Sequence, residues 1–237
     1  MKPSRSRRIA LISVFAALGV VCDSILTPGF SAGVWYGWIF MLSPLTGVVL
    51  GPRDGFVATL ISVMVGHSLA FRDVYEYFFT FGAPLCSLAS GYVFRGKLGR
   101  VLLLYTILLS AYFLTPVSWT LPIWGMWDCH LAYATIIAAT ILTKRSILKL
   151  RKGSMPQLAL SAFLGLEADV MFRIFLFVPC QTYRIFYGFT PETLRLIWTA
   201  PAPIITPLKV GLSTLFTAIV GPHILRVLEE RGLYTAP

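Results

Sequence analysis

The residues of this chain best able to do chemistry are few, and each sits in an apolar run. "EADVMFR", residues 167 to 173, brings Glu167, Asp169 and Arg173 into one stretch. Asp128 and His130 follow Trp127 in another, and Lys209 lies inside a third. Asp169 and Arg173 are four apart, so a helix puts them on one face, where they can neutralise each other. Lys209 is able to pair with Glu167, and His130 to serve as a satisfied core histidine. Ionisable groups in an apolar setting are costly, so each needs a reason. Taken singly, structural pairing and ligand binding both remain open. Taken together, they point to a polar pocket, because neutral packing has no need of so many charges.

The elements that must position these residues are long apolar segments. The chain has 237 residues, of which 57% are hydrophobic and only 13% charged. Its mean hydropathy is +0.76. Soluble domains carry about 25% charged residues. The composition therefore predicts a single integral membrane domain over residues 1–237, an all-α polytopic bundle of six to eight transmembrane helices. Eight apolar segments qualify: 9–26, 34–50, 54–71, 76–94, 99–117, 120–143, 156–179 and 203–226. The pair either side of Thr115-Pro116 also reads as one broken segment with a re-entrant loop, which lowers the count.

Basic residues orient the map. With both termini cytoplasmic, most of the 20 lysines and arginines fall inside. They lie in the N-terminal stretch from Lys2 to Arg8, at 51–55, at 95–100, at 144–153 around Lys149, and after Arg226. Outside loops hold only Arg72, Arg184 and Arg195. This asymmetry is what the positive-inside rule predicts. The net charge of +10 is thus topological, and no nucleic-acid partner is expected. Gly51-Pro52-Arg53-Asp54-Gly55 reads as a tight cytoplasmic turn. The N-terminus imitates a signal peptide but shows no small-x-small cleavage site before Cys22, so it reads as an uncleaved first helix.

On this map Arg173 and Lys209 each lie six residues from an outer span end, roughly 9 Å deep. Asp128 and His130 lie roughly 12–15 Å down on the sixth span. Three helices thus bring polar groups to similar depth. Aromatic residues frame the same side: Trp35, Tyr36 and Trp38; Trp119, Trp124 and Trp127; Tyr183, Phe186, Tyr187 and Phe189; and Trp198. An interface belt would appear at both faces, whereas this skew suits the apolar walls of a small-molecule site. The candidate substrate-binding residues are Arg173, Lys209, Asp169, Glu167, Asp128, His130 and Trp127. The outer stretch "TPETLRLIW" predicts a short helix with Glu192 in its first turn.

Several motifs point elsewhere and fall short. "GYVFRGKL" nearly matches the phosphate-binding loop, but Leu98 stands where a magnesium-holding hydroxyl is needed. "EADVMFR" resembles the acidic-and-arginine helices of some membrane proteases yet lacks a double glutamate, and no H-E-x-x-H occurs. No enzymatic activity is expected. Cys22, Cys86, Cys129 and Cys180 have no C-x-x-C spacing, so no metal site or cofactor is expected. Packing is the expected role of these cysteines, with a disulfide among Cys22, Cys129 and Cys180 left open.

"RRIALISVFAALGVV", followed by a span ending "GVVLGPRDGFVATLISVMVGH", resembles the substrate-binding S component of energy-coupling factor transporters. The resemblance covers roughly residues 7 to 95. It implies a multi-pass cell-membrane subunit that captures a vitamin or similar micronutrient from outside and has no ATPase of its own. It implies docking on a transmembrane coupling (T) protein that carries two ABC ATPase subunits. Family members dock through small residues four apart on the first helix. Ser13 and Ala17 match here, and close helix approach at small residues supplies the physical reason. The usual core of that family has six helices, against eight segments counted here. The expected partners are therefore a small-molecule substrate, the coupling module and membrane lipid. Two other readings stay open: a stand-alone secondary transporter using the same charges for ion coupling, and a membrane-embedded enzyme with Glu167 or His130 as acid or base.

Overall fold

The structure, a computed structural model, describes residues 5–25, 37–71, 73–145, 147 and 151–233. Lys2, Trp35, Tyr36, Arg72 and Lys149 lie outside the described residues. Among the described residues every regular element is helical. In order they are α1 (Arg5–Ser24), α2 (Ile39–Leu50), α3 (Pro52–Leu69), α4 (Glu76–Phe79), α5 (Gly82–Phe94), α6 (Leu98–Leu114), α7 (Trp127–Lys144), α8 (Met155–Phe177), α9 (Thr182–Ile185), α10 (Pro191–Thr199) and α11 (Ala202–Glu230). Two short 3-10 turns, Pro116–Thr120 and Ile123–Met126, lie between α6 and α7. Each of the eight apolar segments overlaps one of the longer helices. Three stretches, Glu76–Phe94, Ile123–Lys144 and Ala202–Glu230, are long and apolar enough to cross a membrane. Helices α2 and α6 are apolar but shorter.

The surface explains what solvent suits this chain. Val57, Ile61 and Val65 recur every four residues on α3 and are exposed, as are Leu208, Leu212, Leu215 and Ile219 on α11. Asp23, Glu167, Asp169 and Lys209 are buried instead. Soluble proteins bury apolar side chains and leave paired charges outside. Apolar side chains outside as well as inside, charges buried in the bundle and three membrane-length helices together point to membrane association.

Local chemistry sets the connections. The 51–55 turn is tighter than its sequence suggests, because the α3 helix already starts at Pro52. Gly51 alone makes the reversal, at φ 93°, a conformation that costs glycine nothing. Proline at the first helical position has its φ preset and no N–H to leave unpaired. Arg53 is therefore an exposed residue of the first turn of α3, and the Asp54 carboxylate beside it accepts two hydrogen bonds from the Arg8 guanidinium of α1, each 2.5 Å long. "GYVFRGKL" closes α5, turns at Arg95-Gly96 and opens α6. A helix–turn–helix presents no phosphate cradle of the strand–loop–helix kind.

Helices α5 and α8 form the centre, with α2 and α3 packed on α5, α1 on α3, and α11 on α8. Hydroxyl bonds stitch the helices together. Ser87 Oγ donates to Ser43 O at 2.7 Å and lies 2.6 Å from Thr59 Oγ1. Ser213 Oγ reaches Phe40 O at 2.7 Å, and the Tyr105 hydroxyl donates to Leu164 O. Gln157 Nε2 donates to Phe94 O at 2.9 Å, tying the start of α8 to the end of α5. That end of the bundle also holds the Arg8–Asp54 pair and the Gly51 turn. The opposite end holds the aromatic residues and the polar groups described next.

Candidate functional site

A cavity of about 190 Å³ opens at that end, walled by α4, the 123–126 turn, α7, α8, the 187–189 loop, α10 and α11. Its apolar lining mixes aliphatic side chains with the aromatic rings of Phe79, Phe177, Tyr187, Phe189 and Trp198. Phe177 of α8 stacks on Trp198 of α10 with ring centres 6.3 Å apart and planes at 5°. Tyr187 lies stacked on Phe189 at 5.5 Å, and Phe79 meets Phe177 edge-on at 6.2 Å. The short α10 closes this side. Thr190 caps it by accepting from Thr193 N at 3.3 Å, and its hydroxyl holds the exposed Glu192 carboxyl below its usual pKa. Leu194 and Trp198 anchor α10 by burial.

The charged part of the wall is a linked group. Asp169 of α8 is 1% exposed. Its Oδ1 accepts from Arg173 Nε at 2.6 Å, one turn along the helix. Its Oδ2 lies 3.7 Å from Lys209 Nζ of α11. Lys209 also sits over the Phe40 ring, 5.4 Å from its centre. Gly82 of α5 makes room for this carboxylate, since a Cβ there would lie 1.8 Å from Asp169 Oδ1. Arg173, Lys209, Asp128 and Glu76 all line the cavity. Two cations and two carboxylates thus face one largely apolar space, which suits an amphipathic ligand carrying charge at one end.

The predicted site residues divide. Arg173, Lys209 and Asp128 line the cavity, while Asp169 stands behind and links the two cations. Glu167 is wholly buried beyond the lining, within 4.8 Å of Asp128 and Cys129 by their donor atoms. His130 turns the other way: its Nε2 meets Ile123 O at 3.2 Å and its ring stacks on Phe113 at 5.9 Å. Trp127 is 46% exposed and donates to Pro203 O at 3.0 Å, outside the lining. Cys86 and Cys129 are buried, Cys180 is exposed, and all four cysteines are free thiols. The packing role therefore does not extend to Cys180.

Sequence reasoning passed over three features. Glu76, the first residue of the 76–94 segment, was not among the candidates, yet α4 carries it into the wall beside Phe79. Asp23, His67 and Thr80 form a chain, with Asp23 Oδ2 at 2.6 Å from His67 Nδ1 and Thr80 Oγ1 at 2.7 Å from His67 Nε2. This is the order of acid, base and hydroxyl in a nucleophilic triad. All three are buried, however, and Thr80 does not line the cavity, so the chain ties α1, α3 and the α4–α5 junction together. A G-x-S-x-G spacing also occurs at residues 29–33. It lies outside the described residues, and the strand that normally precedes such a nucleophile is absent among the described ones.

No family model, no curated protein and no solved structure matches this chain.

Proposed function

We propose that this chain is the substrate-binding membrane subunit of a micronutrient importer, an S component of the energy-coupling factor type. The observation that carries the reading is the cavity, where an aromatic cage meets the Lys209–Asp169–Arg173 group. Such a space suits one small amphipathic molecule and lies at one end of the bundle. A binding subunit needs the first feature and relies on a partner for transport. The bundle is read as polytopic, with the Gly51 end cytoplasmic and the cavity end outside, as the distribution of basic residues supports. ATP hydrolysis belongs to the partner, since "GYVFRGKL" lacks the hydroxyl and the context for it.

Ser13 and Ala17 are exposed on α1, while Phe15, Ala16 and Gly19 are buried. The small-residue face assigned to docking thus points away from the bundle. Ala17→Trp is expected to reduce recovery of the coupling protein about tenfold or more, because overpacking a close helix contact costs about 1–3 kcal/mol. Ligand affinity should stay at the wild-type value, since Ala17 is remote from the cavity lining. Equal pull-down of the partner by the variant and the wild type removes α1 from the interface.

Native mass spectrometry of the gently purified protein tests the whole reading. It is expected to show a retained small molecule, and a coupling module when the two are co-expressed. Trp198→Ala should abolish retention by opening the cage. A chain that carries no ligand, and transports one alone in vesicles, is a secondary transporter instead. That rival draws on the Asp23–His67–Thr80 chain, which is able to pass a proton along its hydrogen bonds.

A further inference from the structure

Asp128 and Cys129 open α7, and Glu167 sits midway along α8. One donor atom from each, two carboxylate oxygens and a sulfur, all lie within 4.8 Å of one another. The three residues are 3%, 0% and 0% exposed. A second observation is independent of this spacing. Both carboxylate oxygens of Glu167, and Oδ2 of Asp128, are buried and receive no N–H or O–H; the Cys129 thiol is the one donor beside these two carboxylates. Only Asp128 Oδ1 is satisfied, by the backbone N–H of Cys129 at 3.0 Å. Buried carboxylates are ordinarily paired, hydrogen-bonded or bound to a metal.

Charge points the same way. Glu76, Arg173 and Lys209 in the cavity wall and Asp169 behind it sum to zero, and both cations face Asp169. Asp128 and Glu167 are left over, as two acids that form no ion pair with a basic residue among the described ones. One divalent cation balances the two carboxylates; on binding it displaces the Cys129 thiol proton, which leaves through the cavity, and the site then keeps one net negative charge. A thiol beside two carboxylates favours a borderline ion over magnesium or calcium, which take oxygen donors alone. Three protein donors are also the number found at open zinc sites, where a water or ligand takes the fourth position. Asp128 lines the cavity as well, so the cavity provides the way in.

We infer that Asp128, Cys129 and Glu167 bind one divalent cation of the zinc class, with an open coordination position towards the cavity. Cysteine spacing along the chain gave no hint of it, because the ligands come from two helices that only packing brings together. The site stands whichever molecule fills the cavity, and its test uses the metal alone.

The full chain, stripped of metal in detergent, is given Zn²⁺ or Co²⁺ and desalted. One equivalent is expected to remain. The Co²⁺ form should show a sulfur-to-cobalt charge-transfer band in the near ultraviolet. X-ray absorption of the Zn²⁺ form should show one sulfur at about 2.3 Å and oxygens at about 2.0–2.2 Å. Glu167→Gln and Cys129→Ser should each weaken binding by about tenfold or more, and Cys129→Ser should remove the band. A wild-type chain that retains neither ion leaves the carboxyls sharing protons and overturns the proposal. Equal binding by wild type and both variants overturns it, as does a metal shell without sulfur. If the variants do not fold, the absorption spectrum of the wild type decides.

Discussion

Asp169→Asn is expected to be among the most damaging single substitutions in this protein, costing about 3–5 kcal/mol, the usual cost of breaking a buried ion pair from one side. Asparagine keeps the shape but removes the charge that holds two cations. Arg173 Nε at 2.6 Å and Lys209 Nζ at 3.7 Å would then share a buried space with the carboxylate between them gone. Arg173→Gln is expected to be milder for folding, because Asp169 keeps Lys209. Its effect should fall on the ligand instead. Loss of a charged hydrogen bond is worth about 1.5–3 kcal/mol, or roughly ten- to hundredfold in affinity. The double variant Arg173→Gln/Asp169→Asn separates the two roles. It removes one charge of each sign, so Glu76 and Lys209 still balance. Recovered stability with affinity still lost is the expected result, read from thermal melting in detergent and a binding isotherm for the ligand found by mass spectrometry. Full recovery of affinity would show that Arg173 serves only to neutralise Asp169.

Gly47→Val is expected to leave no folded protein, and Gly47→Ala to cost at least the upper part of the usual range of about 1–3 kcal/mol for overpacking. A Cβ on Gly47 of α2 would lie 2.0 Å from Ser87 O and 2.7 Å from Ser87 C, both backbone atoms of α5. A flexible side chain could swing away, but a helix backbone cannot. The same crossing carries the Ser87–Ser43 and Ser87–Thr59 hydrogen bonds, so moving α5 away also unmakes those. Gly55 of α3 approaches this point too, with its missing Cβ 2.8 Å from Gly47 Cα. Three helices therefore meet at glycine, as close packing without a hydrophobic driving force requires. Gly211→Ala in α11 is the control, because nothing lies within 4 Å of its Cβ position. That variant should melt like the wild type or slightly higher. Matching melting points for Gly47→Ala and Gly211→Ala would refute the crossing.

The sequence by itself determined the helices. Apolar runs, with Gly51-Pro52, Arg95-Gly96 and Thr115-Pro116 between them, placed the breaks between helices, because those effects act over a few residues; they did not show that 76–94 divides into α4 and α5 or that α7 begins only at Trp127. It also put Asp128, Arg173 and Lys209 towards the same end of the bundle, and all three line the cavity. The Asp169–Arg173 pair was legible because both partners lie on one helix, four residues apart. Only the tertiary structure decided which way each residue faces. Hydropathy normally reports this, because one side of a helix meets water and the other the core. Here the packed interior and the exposed face are both apolar, so the pattern along a helix carries almost no direction. His130 and Trp127 therefore share the first turn of α7 with Asp128 yet turn away from the cavity, while Glu76 at a helix edge turns into it. Pairings across helices were hidden for the same reason. Asp23 met His67, Cys129 met Glu167 and Lys209 met Asp169 only once α1, α3, α7, α8 and α11 had packed.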